Sequence, residues 1–146
     1  MADKNEIKPV QQYEKIDEKE HKLLAIWAAD CAEHVLLHFE KNNPGDHRPR
    51  KAIQAARRWV RGELKMREAR KFAFAAHDAS HDVNNPQAKA AARAAGHAAA
   101  TAHVPGHAKY AASYAIKASM NTTIERDWQL RCLPEHLKSM IEIDSK

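Results

Sequence analysis

The sequence contains little that breaks a helix or builds a sheet. It has only four glycines and six prolines in 146 residues, and β-branched residues are scarce, so few positions force a turn or favour a strand. No apolar run approaches the length that spans a bilayer, and the N-terminus lacks the apolar segment of a signal peptide. These absences argue against a membrane or secreted protein and lead us to expect a helical protein of the cytoplasm.

Signatures of catalysis are also missing. The chain has no phosphate-binding glycine loop, no GxGxxG fingerprint, no nucleophile elbow and no HExxH motif. Its two cysteines, Cys31 and Cys132, stand far apart beside apolar residues. That placement favours buried free thiols in a reducing compartment, with one disulfide as the alternative. The sequence therefore favours a protein that is not an enzyme.

Alanine is what the chain has in abundance, above all in Ala88–Ala118, which is interrupted once, at Pro105-Gly106. Alanine has the highest helix propensity and almost no side-chain volume, so this stretch predicts a hairpin of two helices that neighbouring helices approach closely. The hairpin has too little apolar bulk to stand alone. We expect an all-α, single-domain bundle of about six to seven mostly antiparallel helices around this alanine-rich central hairpin.

Apolar periodicity and capping residues place the individual helices. Residues 1–16 are polar and without a sustained period, so they are expected to form a flexible N-terminal arm, and residues 17–146 the helical domain. Capping-box patterns at Asp17 with Glu20 and at Thr122 with Glu125 indicate two helix starts. The expected helices cover about 17–41, 48 to a stop or kink at Gly62, 65–82, 86–103, 106–119, 123–132 and 134–143.

Several polar residues fall where the helices should be buried. Asp30 and His34 are four residues apart at the edge of the first apolar arc, and His97 lies deep in the alanine-rich helix. Because a buried polar group needs a partner, we expect Asp30, His34, His97 and His103 to converge with Thr101 as one polar cluster. Such a cluster is either a structural tie between helices or a site for a divalent metal or another ligand.

Two further histidine pairs, His77 with His81 and His103 with His107, have the i,i+4 spacing that can chelate a divalent ion. No paired glutamate and no cysteine ligand set accompanies them. The sequence therefore predicts no cofactor, and a bound divalent metal stays an open alternative.

The formal charge of +5 is concentrated in residues 48–71, which hold ten lysines and arginines against two glutamates. Lys51, Arg58 and Lys65 repeat every seven residues and, with Arg61, form a candidate partner-binding surface. Such a surface suits an acidic protein or a phosphate backbone. A solvated helix face is the simpler interpretation, and no nucleic-acid motif or aromatic stacking set accompanies the charges. Nucleic-acid binding through residues 48–71 is therefore the weakest hypothesis.

Four segments in order resemble the bacterial immunity proteins of the Imm-5-like family. They read LAIWAADCAEHVL (residues 24–36), HRPRKAIQAARRWVRGE (47–63), AARAAGHAAATAHVPGHA (91–108) and ERDWQLRCLPEHL (125–137). The resemblance implies a small all-helical cytoplasmic protein that binds and neutralises a cognate toxin. A helical metal- or ligand-binding protein or enzyme that uses the polar cluster is the alternative. The oligomeric state stays open, a homodimer included.

Overall fold

The structure is a computed structural model that describes residues 16–141, and this part of the chain is helical without a strand. The helices are α1 (Glu18–Val35), α2 (Leu37–Glu40), α3 (Arg48–Val60), α4 (Met66–His81), α5 (Pro86–Ala100), α6 (His107–Ala118), α7 (Thr122–Cys132) and α8 (Lys138–Ile141), with a 3-10 turn at Glu135–Leu137. The predicted all-α single-domain bundle is confirmed. The proposed arm falls almost wholly on residues 1–15, outside the described residues, and stays a prediction.

The alanine-rich hairpin lies at the centre of the bundle, as predicted. Helix α5 packs against α1, α2, α3, α4 and α6. Its alanines are buried on most sides of the helix. With so many neighbours packed close to α5, the remaining space fits a methyl group and no larger side chain. The bulky part of the core comes from α1 and α2, where the largest buried apolar side chains are Leu24, Trp27, Val35 and Phe39.

Helix α4 approaches α5 closely at Gly96. A Cβ atom placed on Gly96 would lie 2.7, 2.8 and 2.9 Å from three ring atoms of His77 on α4. These separations are well below van der Waals contact. The imidazole of His77 therefore rests directly on the backbone of α5, and glycine is the residue that allows it.

Two of the predicted helix ends are corrected by the structure. The first predicted helix, 17–41, is divided at Leu36, whose N–H donates to the carbonyl of Glu33, so α1 ends before α2 begins. The predicted capping box of Thr122 is wrong. Asn121 is the N-cap of α7, and its side chain accepts from the N–H of Ile124 at 3.0 Å. Glu125 is thereby left to a different partner.

The start of α1 follows the predicted capping box: Oδ1 of Asp17 accepts from the N–H of Glu20 at 2.8 Å.

Both cysteines are free, but only Cys31 is buried, and Cys132 is exposed, contrary to the expectation of two buried thiols. Burial and the nearby carboxylates of Glu125 and Asp30 raise the pKa of Cys31 well above its usual value, which makes this thiol unreactive. No helix among the described residues is long and apolar enough to cross a membrane.

Candidate functional site

The four residues predicted to form one polar cluster do not lie together. Asp30 and His34 line a shallow recess to which α1, α3 and α7 contribute. His97 belongs to a group of rings on α4, α5 and α6, and His103 is exposed in the turn after α5. Asp30 and His34 are instead paired with Arg57 and Glu125, which come from distant parts of the chain.

An arginine holds the acidic side of the recess. Nη2 of Arg57, on α3, donates to Oδ1 of Asp30 at 2.7 Å, and Nη1 lies 2.7 Å from Oε1 of Glu33. One guanidinium thus ties α3 to two successive turns of α1. Because these side chains are partly exposed, the pairs fix geometry more than they add stability.

The other side of the recess is a pair formed by His34 and Glu125. Nδ1 of His34 lies 3.0 and 2.8 Å from the two carboxylate oxygens of Glu125, whose side chain is only 7% exposed. The imidazole stacks on Trp128 with ring centroids 3.7 Å apart. A carboxylate only accepts, so Nδ1 of His34 donates, and Nε2 is left to make another contact. The sequence did not indicate Glu125 as a partner of His34, because the predicted capping box assigned Glu125 to Thr122.

A second group of titratable side chains lies on α4, α5 and α6, and we call it the imidazole–tyrosine cluster. His97 is at its centre: its ring centroid is 4.9 Å from that of His77, 5.2 Å from His107, 5.5 Å from Tyr110 and 5.3 Å from Tyr114. The Nδ1 atoms of His97 and His107 are 3.0 Å apart, so one of them donates a hydrogen bond to the other. The cluster therefore joins three helices through ring contacts.

The imidazoles of this cluster stay neutral at pH 7. Burial, followed by His77, His107 and Arg93, lowers the pKa of His97 to about 3. Burial is also the first cause of the lowered pKa of His77 and of His107; Arg93 and His81 lower the pKa of His77 further, and His103 and His77 lower that of His107. A proton on any of these rings would lie in a poorly solvated site, and on His77 or His97 it would also lie near the positive charge of Arg93.

Cations surround the cluster on its exposed side. The guanidinium of Arg93 and the ammonium of Lys117 lie 5.9 and 4.9 Å from the ring centre of Tyr114, and the ammonium of Lys109 lies 5.3 Å from that of Tyr110. The sequence carries a signal for this region that does not depend on ligand spacing. Residues 83–124 contain no aspartate or glutamate.

The predicted partner-binding surface on α3 is narrower than expected. Arg61 bonds Glu63 at 2.9 and 3.1 Å, and the neighbouring arginines of α3 are paired with carboxylates too. Lys51 and Arg58 lie on α3, whereas Lys65 is the N-cap residue of α4, so the predicted seven-residue repeat does not continue along one helix. All three are exposed, and no ion pair in the described part of the chain engages them. These three residues, which we call the α3 stripe, are what remains available to a partner.

Neither group of side chains has the geometry of a metal centre. Across residues 16–141 there is no set of three or more histidine, cysteine, aspartate or glutamate side chains that could hold a metal ion. In the two predicted chelating pairs, His81 and His103 are exposed, whereas His77 and His107 are turned into the cluster. The absence of a cofactor stays a prediction.

A family model described as Imm-5 like putative immunity protein matches residues 14–136, from just before α1 into the turn that precedes α8. No curated protein matches the chain, and no solved structure does.

Proposed function

Because the chain belongs to the Imm-5 like immunity protein family, we propose that it binds a cognate bacterial toxin and neutralises it without catalysis. The observation that carries this proposal is the extent of the match, residues 14–136, which includes α1 to α7 and therefore nearly the whole core. Support also comes from the recess, whose polar groups are occupied with one another in the pairs Asp30–Arg57 and His34–Glu125.

Neutralisation requires the protein to cover the part of the toxin that acts, or to hold the toxin in an inactive shape. A stable inhibitory interface of this kind buries about 1,600 Å² in total. The positive net charge of +5 favours a toxin with an acidic surface. The proposed place of action is the cytoplasm, where the free thiols Cys31 and Cys132 would stay reduced.

Co-expression tests the proposal. The gene should be expressed together with the toxin gene adjacent to it, and growth should be restored to at least the level of cells without toxin induction. The two purified proteins should form a complex of defined mass in size-exclusion chromatography with light scattering. A toxin from an unrelated locus is the control and should not be neutralised. Growth arrest in cells that contain ample folded protein would contradict the proposal.

The α3 stripe should act on the rate of association. Charges that stay in water at the edge of an interface steer the partner, and their loss mainly slows binding. We expect the Lys51→Glu/Arg58→Glu variant to bind the toxin about tenfold more slowly at low salt, with an unchanged dissociation rate and a difference that shrinks as salt rises. Stopped-flow or biolayer interferometry at two salt concentrations measures both rates.

The matched control for the stripe is Arg126→Glu/Arg131→Glu on α7, which makes the same change in net charge at two exposed positions. If this variant slows association as much as the stripe variant does, total charge is responsible and the stripe has no special role.

A ligand- or metal-binding protein built on the recess is the second candidate, and the His34–Glu125 pair is the observation that favours it. A carboxylate that fixes one imidazole nitrogen leaves the other ready to contact a ligand. Elemental analysis of the purified protein distinguishes the two candidates for metals. The immunity proposal expects no stoichiometric transition metal, and it expects a His34→Ala variant to protect cells as well as the wild type does.

A further inference from the structure

The α5–α6 hairpin carries cations and no acidic residue. Some exposed cations elsewhere in the molecule have carboxylate partners, as Lys22 has Glu18 at 3.3 Å and Arg50 has Glu40 at 2.6 Å, whereas Lys51 and Arg58 have none among the described residues. Arg93 and Lys117 have none among the described residues, and each is placed over the ring of Tyr114 instead. The positive charges of Arg93 and Lys117 are therefore held in position without a carboxylate partner.

The surface around these two cations has the composition of a binding hot spot. Tyrosine and arginine are enriched among the residues that contribute most to protein interfaces. Tyr110 is 47% exposed, although its ring packs near His97 and His107. Rings that already contact one another across three helices lose little conformational entropy when a partner binds. Little of the binding free energy gained from contacts with these rings is therefore offset by an entropy cost.

We propose that the imidazole–tyrosine cluster, together with Arg93 and Lys117, is the surface on which the toxin docks, and that the toxin presents aspartate or glutamate carboxylates to it. This inference rests on the proposed function. The carboxylates would pair with Arg93 and Lys117, and the neutral rings beneath them would exclude water and strengthen the pairing.

A protein fits this surface better than a single-stranded nucleic acid does. Nucleobases need an open aromatic face on which to stack. Tyr114 is stacked by His97 at an interplanar angle of 7°, and two cations lie over its ring. Little of that face is left for a base, whereas carboxylates need only the cations and hydroxyls at the edge of the cluster.

The test compares two double charge reversals that change the net charge equally, Arg93→Glu/Lys117→Glu in the cluster and Lys51→Glu/Arg58→Glu in the α3 stripe. The probe is the toxin encoded by the adjacent gene, and its affinity and rate constants are measured together with growth protection. We expect the cluster variant to bind at least 100-fold more weakly, chiefly through faster dissociation, and to lose protection. The stripe variant should change the association rate instead.

Circular dichroism and thermal melting check that both variants fold, and Arg93→Gln/Lys117→Gln serves as a milder replacement if the reversal does not. An affinity for the toxin within threefold of the wild type in a folded cluster variant overturns the inference and leaves the immunity proposal standing. Failure of the wild type itself to bind and protect overturns both. The wild type and the cluster variants are also tested for binding to a 20-nucleotide single strand. If the wild type binds this strand and the cluster variants bind the toxin but not the strand, the surface is a nucleic-acid site and the inference is wrong.

Discussion

Replacing Phe39 by alanine should lower the free energy of unfolding by about 3–5 kcal/mol, the usual cost of truncating a fully buried phenylalanine. Phe39 is completely buried on α2, which packs against the alanine-rich α5. The buried residues of α5 are alanines and Gly96, and their methyl groups are too short to move into the space. The loss should therefore lie in the upper part of that range. Urea unfolding followed by circular dichroism measures it.

Leu37→Ala is the matched control, since it removes a large apolar side chain two residues away on the same helix. Leu37 is 67% exposed, so its replacement should change the free energy of unfolding by less than about 0.5 kcal/mol. Equal effects of the two substitutions would mean that α2 does not supply the bulk that the hairpin lacks, and would contradict the packing described above.

Acid should destabilise the protein well before its carboxylates are protonated. In the unfolded chain His97 titrates near its ordinary pKa of 6.5, whereas in the folded protein burial and its neighbours lower that pKa to about 3. The unfolded state therefore binds more protons below pH 6.5. This contribution to stability is complete above pH 6.5 and is lost as the pH falls from there toward 3.

Between pH 7.5 and pH 5, His97 alone should cost about 2 kcal/mol of unfolding free energy, and the lowered pKa values of His77 and His107 add to it in the same direction. The groups that face the cluster oppose protonation on balance: Arg93, His81 and His103 lower these pKa values, and Asp78 alone raises that of His77. Urea unfolding at the two pH values measures the loss.

A His97→Gln variant should lose most of the difference in stability between the two pH values. His136→Gln removes an exposed imidazole from the 3-10 turn and is the control. If the wild type is as stable at pH 5 as at pH 7.5, the imidazoles of the cluster are not buried in the way the structure describes.

Most of the fold could be predicted because its signals are local. Alanine density, apolar periodicity and the capping box at Asp17 act over a few residues, and they located the hairpin and most helix ends. The break at Leu36 could not be predicted, because that sequence is equally compatible with a continuous helix. The N-cap of α7 was misassigned because Asn121 and Thr122 are both good capping residues, and the choice between them depends on tertiary contacts.

The candidate site was harder to predict because its contacts join distant parts of the chain. Asp30 finds Arg57 27 positions away, and His34 finds Glu125 91 positions away. Helical spacing told us that Asp30 and His34 share a face, but not which partners would reach them. His97 was correctly singled out as a polar ring among methyl groups. Its actual partners, His77, His107 and the two tyrosines, depend on how three helices are aligned.

Hydrogen–deuterium exchange of the protein, alone and with the product of the adjacent toxin gene, tests the central claim most directly. If the toxin docks on the imidazole–tyrosine cluster, amide exchange should slow at the end of α4, in the second half of α5 and along α6, and stay unchanged in α7. Slower exchange confined to α1 and α7 around the recess, or no change in exchange anywhere, would contradict the account.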